Sequence, residues 1–238
     1  MVTSVLPLRL NNVSVTKHGK TLVGPIDLEL GMTGITVILG PNGSGKTTLL
    51  RLIHGLERPR HGEVVWNVPT SEARQRQAFV FQTPIMLRRS ALENVAYPLH
   101  LQNMAKDAAN LSALRALESV DLENSKHINA GYLSGGEKQK LAIARALAIK
   151  PDILFLDEPT ASLDSSSMRE IETIIKSAVA SGIRIVMTTH DIGQGKRLAD
   201  DVCFLFKGVL HEQSSAKSFF EAPKTKEAQF FLAGEIVE

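Results

Sequence analysis

The chain has 238 residues, of which 43% are hydrophobic and 22% charged, with a formal net charge of +2 and one cysteine, Cys203. That balance is ordinary for a globular protein and gives no electrostatic case for a nucleic-acid partner. A single cysteine excludes an internal disulfide and fits a reducing compartment. No apolar run reaches the roughly 18 residues needed to span a bilayer, and "MVTSVLPLRLNNV" lacks the basic segment and long apolar stretch of a signal peptide.

Short apolar runs bounded by Gly, Asp or Pro predict buried strands at Ile35–Leu39, Ala78–Phe81, Ile153–Leu156, Ile183–Thr188 and Val202–Phe206. Helical patterns fall between several of them, which argues for an α/β fold with a mostly parallel sheet covered on both faces. The segment 84–130 lacks a convincing strand and carries Leu111, Leu114 and Leu117 at three-residue spacing. It reads as a mainly helical insertion in one domain of residues 1–238, whose core is then 1–83 with 131–238. "FLFKGVLHEQ" predicts a hairpin turning at Lys207–Gly208, and "SFFEAPKTKEAQFFLAGEIVE" a helical pair interrupted at Pro223.

"ITVILGPNGSGKTTLLRLIHG" fits strand, loop and helix, and Gly40, Gly45, Lys46 and Thr47 match G-x-x-x-x-G-K-[ST]. The chemistry asks for these residue types. Glycines let backbone N–H groups close around phosphates, and the helix that follows presents its positive end. Lys46 reaches the β/γ phosphates and the Thr47 hydroxyl can ligate Mg²⁺. The predicted nucleotide cradle is Gly40, Pro41, Asn42, Gly43, Ser44, Gly45, Lys46, Thr47 and Thr48.

A second apolar strand, in "DILFLDEPTASLD", ends in Asp157 and Glu158. Ligands gather at the carboxyl ends of parallel strands, so Asp157 is expected in the Mg²⁺ shell and Glu158 as the general base for an attacking water. Gln82, read as ending the strand "FVFQ", is a candidate for the metal or the water. His190, after "IRIVMTTH", is a candidate γ-phosphate contact at the same sheet edge as Glu158.

"YLSGGEKQKLAIARAL" poses a separate question. Ser134 and Glu137 read as a capping box before a helix, but a capping box does not require Gly135 and Gly136 between them. Two glycines leave backbone N–H groups bare at a positive helix end, which suits a phosphate. The chain already has one complete phosphate loop, so this second anion site suggests completion by another molecule.

The phosphate loop, Gln82, "LSGGE", "ILFLDEP", "SLD" and His190 occur in the order and spacing of the ATP-binding cassette (ABC) family, which the chain resembles over nearly its whole length. The resemblance implies an ABC-type P-loop NTPase with an antiparallel β part beside the parallel core. It also implies an ATP- and Mg²⁺-dependent head-to-tail homodimer, in which Ser134, Gly135, Gly136 and Glu137 meet the ATP held by the partner's phosphate loop. Ser162–Asp164 would communicate between the two sites, and 84–130 would dock on integral membrane permease subunits. Family members usually stack adenine on an aromatic after the first strand, where this chain has His18. The resemblance further implies a peripheral location on the cytoplasmic face of a bacterial membrane and an extracellular or periplasmic substrate-binding protein. "QTPIMLRRSALENVAYPL" and the tail resemble oxyanion importers, tungstate or molybdate first and phosphate second. Other small solutes, or a soluble ABC ATPase without a transporter, are the alternatives; no N-K-x-D motif supports a GTPase.

Overall fold

A computed structural model describes residues 4–235. The chain enters through an antiparallel pair, β1 (Leu8–Lys17) and β2 (Lys20–Leu30), then β3 (Ile35–Leu39) and α1 (Lys46–His54). It continues with β4 (His61–Val65), α2 (Thr70–Gln75), β5 (Gln77–Val80), α3 (Ala91–Leu101), α4 (Lys106–Glu118), α5 (Gly135–Ala148) and β6 (Ile153–Asp157). The remainder is α6 (Ser165–Ala180), β7 (Arg184–Thr189), α7 (Ile192–Leu198), β8 (Asp201–Phe206), β9 (Val209–Ser215), α8 (Ala216–Glu221) and α9 (Lys226–Ala233).

Two sheets result. β2-β1-β4 is antiparallel, and β5-β6-β7-β3-β8-β9 is parallel except for the last pair. β3 is buried at all five positions because alternate residues enter different cores. Val37 and Leu39 join Leu154, Leu156 and Met187 against the helices on one face. Ile38 joins Phe155, Val186 and Leu205 against α1 and the three-stranded sheet on the other. Since β7 and β8 lie on opposite sides of β3, the chain reverses strand order there, and a crevice opens beyond the carboxyl ends of β3, β6 and β7.

The strands of the parallel sheet lie where their apolar runs predict, displaced by a residue at some ends: β5 stops at Val80, so Gln82 lies two residues beyond it. The hairpin turns at Lys207–Gly208, and α8 and α9 flank Pro223; residues 236–238 of the tail lie outside the described residues. Residues 84–130 hold α3 and α4, but the three-residue leucine spacing is not the packing stripe. Ala109, Ala113, Ala116 and Leu117 face the core, while Leu111 is exposed. Alanines make up most of the face that α4 packs against α3 and α5.

Candidate functional site

The loop between β3 and α1 is built by close approach. A Cβ on Gly40 would lie 2.0 Å from the Leu205 carbonyl, and one on Gly45 would lie 2.7 Å from Val23 Cγ2. Both residues also have positive φ, 154° and 102°, so neither space nor backbone admits another residue without strain. Ser44 is buried and its hydroxyl has no partner. The Lys46 ammonium folds back to donate to the carbonyls of Gly40 at 2.9 Å and Pro41 at 3.1 Å, and stands 3.6 Å from Glu158 Oε1. Burial lowers the Lys46 pKa, and the Glu158 carboxylate opposes that shift.

Asp157 closes β6 and is almost fully buried. Its Oδ1 accepts from the hydroxyls of Thr47 and Thr188, each at 2.8 Å. The Thr188 hydroxyl in turn accepts from the Glu158 backbone N–H at 2.9 Å. Glu158 has φ 43°, a left-handed backbone uncommon for a residue other than glycine. The turn directs its carboxylate between Lys46 and His190, whose Nδ1 is 3.1 Å from Oε2. Thr188 was not anticipated from sequence. The available signal was a polar Thr-Thr pair closing an apolar strand, with Thr188 in register beside Asp157.

Two cavities flank this cluster. One of about 510 Å³ is lined by Asn42, Gln82, Glu158, Ser162 and His190 among others. The second, about 240 Å³, is lined by Leu22, Asn42, Lys46, Thr47, Thr48 and Glu158 with loop glycines. The structure therefore brings together Lys46, Thr47, Asp157, Glu158 and His190, with the exposed Gln82 at the rim.

His18 stands apart. It is an exposed residue of the two-residue turn joining β1 to β2, with φ 49° followed by Gly19 at 76°, and lines neither cavity. Of the β1–β2 hairpin, Leu22 is the residue that lines the smaller cavity. The glycine pair is also apart from the cavities. Ser134 and Glu137 form both capping-box bonds: Glu137 N–H donates to Ser134 Oγ at 3.3 Å, and Ser134 N–H to Glu137 Oε2 at 2.8 Å. Gly136 has a packing reason, since a Cβ there would lie 2.8 Å from Ser167 Oγ on α6. Gly135 has none of that kind: its Cβ would meet only Leu163 Cδ2, at 3.9 Å.

The donor set suits a magnesium nucleotide. Glycine approach forms the loop, a buried hydroxyl on Ser44 lacks a partner, and one carboxylate with one hydroxyl is what Mg²⁺ usually takes from protein beside phosphates.

Residues 23–161 match the family model described as ABC transporter. The tungstate uptake system ATP-binding protein TupC of Peptoclostridium acidaminophilum is 38% identical over 217 residues, covering 90% of this chain and 100% of that protein. The arginine transport ATP-binding protein ArtM of Bacillus subtilis is 37% identical over 208 residues, covering 83% and 87%. Among solved structures, cbiO1 of Clostridium perfringens, part of the ABC transporter complex cbiONQ, superposes with a TM-score of 0.82 at 27% identity, covering 90% of each chain. The ATP-binding cassette MJ0796, a dimer in a post-hydrolysis state bound to ADP and Pi, gives 0.77 at 30% identity, covering 88% and 98%.

Proposed function

The chain belongs to the ABC transporter family and is an ATP-hydrolysing importer subunit, and from that premise we propose how its residues divide the work and which solute it serves. The observation that carries the reading is the Glu158 carboxylate held between Lys46 and His190, one residue after an Asp157 held by Thr47.

Lys46 leaves its loop carbonyls to neutralise the β/γ phosphates. Thr47 and Asp157 would hold Mg²⁺, with Gln82 at the cavity rim as a further oxygen donor. When bound there, the ion would supply electrostatic stabilisation of charge developing on the phosphoryl oxygens. Glu158 accepts the proton of the attacking water, and His190 holds that carboxylate in place and meets the γ-phosphate. The unpartnered Ser44 hydroxyl and the loop N–H groups orient the triphosphate. In a head-to-tail dimer, Ser134 and Gly135 close each site from the partner subunit. Residues 84–130, with exposed Ile85 and the Arg89–Tyr97 pair, dock on permease subunits at the cytoplasmic face of a membrane. No helix among the described residues is long and apolar enough to cross one. Glu158→Gln should lower turnover by about 10²–10⁴-fold with ATP binding retained; near-normal turnover removes Glu158 from this role.

The proposed cargo is an oxyanion of the tungstate or molybdate class, delivered by a binding protein. The support is the likeness to the tungstate uptake protein, spanned over its full length. Amino-acid import is the second reading, favoured by likeness to arginine and cystine transport ATP-binding proteins at 36–37% identity. Deleting the gene and measuring uptake of tungstate, molybdate, arginine and cystine separates them. Loss of oxyanion uptake alone supports the first reading, and loss of amino-acid uptake alone replaces it with the second.

A further inference from the structure

Tyr132 is 87% exposed, the most exposed large hydrophobic side chain among the described residues, and it precedes Ser134 by two positions. A freely exposed aromatic on a loop would be ordinary, but this one is held. The Asn129 side chain accepts from Gly131 N–H at 3.0 Å, and Tyr132 N–H donates to the Asn129 carbonyl at 2.9 Å. Leu133 is buried and pins the chain on the far side. The backbone that carries the ring is thus fixed before any partner arrives. An aromatic with few rotatable bonds on a fixed backbone gives up little entropy on contact.

The second observation concerns the other side of the nucleotide. The chain has one tryptophan, two tyrosines and nine phenylalanines. None of them lines the cavity formed by the phosphate loop, and His18 does not line it either. In cis, that cavity offers the nucleotide Leu22 and polar groups only. No aromatic side chain thus lines the phosphate-loop cavity, while an exposed, backbone-fixed tyrosine stands beside the helix end assigned to the partner's ATP.

We propose that Tyr132 of each subunit packs its ring against the base or ribose of the ATP bound by the other subunit, supplying in trans an aromatic contact that the phosphate-loop cavity does not offer. This rests on the head-to-tail reading given above. Ser134 and Gly135 approach the phosphates, and two residues of extended chain span about 7 Å, enough to carry the ring from the phosphate end toward the sugar and base. The contact buries a tyrosine face and closes the interface at its rim. It stabilises only the closed dimer, so it adds nothing to ATP binding by a single subunit.

The test uses the full chain with Glu158→Gln, which keeps ATP unhydrolysed. Light scattering gives the ATP concentration that half-dimerises the protein, and titration at protein concentrations too low to dimerise gives monomer affinity. Tyr132→Ala should raise the half-dimerising ATP concentration roughly two- to tenfold, the range of aromatic pair energies. Tyr132→Phe should match the parent, and monomer affinity should not change. A second probe is 8-azido-ATP in mixed dimers, where one subunit carries Lys46→Ala and so cannot hold the nucleotide well. Photolabel should appear on the Tyr132 peptide of the Lys46→Ala subunit. If ATP does not dimerise the Glu158→Gln parent, the head-to-tail reading fails and the proposal with it. If ATP dimerises the parent but Tyr132→Ala has the same midpoint, or lowers monomer affinity equally, the dimer stands and the role of Tyr132 is overturned. Label on the nucleotide-holding subunit alone overturns it as well.

Discussion

The backbone N–H of Gly208 donates to the carbonyl of Ser44 at 2.9 Å, so the turn of the β8–β9 hairpin is tied directly to the phosphate loop. The same residue's carbonyl accepts from Gly24 N–H of β2 at 2.7 Å. One turn residue therefore links the loop to the antiparallel sheet. Gly208 has φ 81°, and a Cβ there would lie 2.6 Å from the Leu22 carbonyl. Gly208→Ala should cost at least about 1 kcal/mol of stability, because alanine is strained at positive φ, and should weaken ATP binding more than it lowers turnover at saturation. Thermal unfolding and a KM-against-kcat comparison check this; unchanged KM with lowered stability would reduce Gly208 to a fold residue.

Thr188 satisfies two groups with one hydroxyl, donating to Asp157 and accepting from Glu158 N–H. Thr188→Val keeps the shape and removes both bonds, leaving a part-buried N–H without its acceptor and the buried Asp157 without one of its donors, at a cost of about 1–3 kcal/mol. Turnover should fall because Asp157 and Glu158 lose a shared support, and Thr188→Ser should restore most of it. A Val variant with parental stability and turnover would contradict this reading.

The adjacent glycines should separate by measurement. Gly136→Ala drives a methyl against Ser167, whose hydroxyl is engaged with Asp164 at 2.8 Å. Overpacking of this kind costs about 1–3 kcal/mol, so its melting temperature should fall. Gly135→Ala meets nothing closer than 3.9 Å and should melt at or above the parental temperature, since alanine is the better helix former. If the helix end serves the partner's ATP, Gly135→Ala should nevertheless lower ATPase activity. Equal melting temperatures for the two variants would remove the packing account of Gly136.

His54 gives a pH dependence. Burial, helped by the nearby Arg74 cation, pulls its imidazole down to about 4 from an ordinary 6.5. Between those values the unfolded chain binds a proton that the folded chain does not, so stability is complete above about pH 6.5 and declines as pH falls toward 4. The slope contributed by this one group reaches at most about 1.4 kcal/mol per pH unit. His54→Phe, placed among Phe79 and Phe155, should flatten denaturant-unfolding stability over that window. An unaltered slope would show that His54 is not the titrating group.

Much of this protein was legible in one dimension. The phosphate loop follows a strand and opens a helix within a dozen residues, and Asp157–Glu158 close an apolar run; spacing and hydrophobic period reveal such features because they are set between near neighbours. The capping box at Ser134–Glu137 is local in the same way. What only the tertiary structure decided joins residues far apart in the chain. Thr47 and Asp157 are 110 positions apart, and Gly208 reaches Ser44 and Gly24. Gly136 needs its bare Cα because α6 passes there, and α4 buries Ala109, Ala113 and Ala116 beside Leu117 while Leu111 of the leucine row is left exposed. His18 is placed on a hairpin tip rather than in a cavity by a turn with two positive φ values. Periodicity states which face of an element is apolar, but not how near the next element comes, and that distance is set by the packing of the whole core.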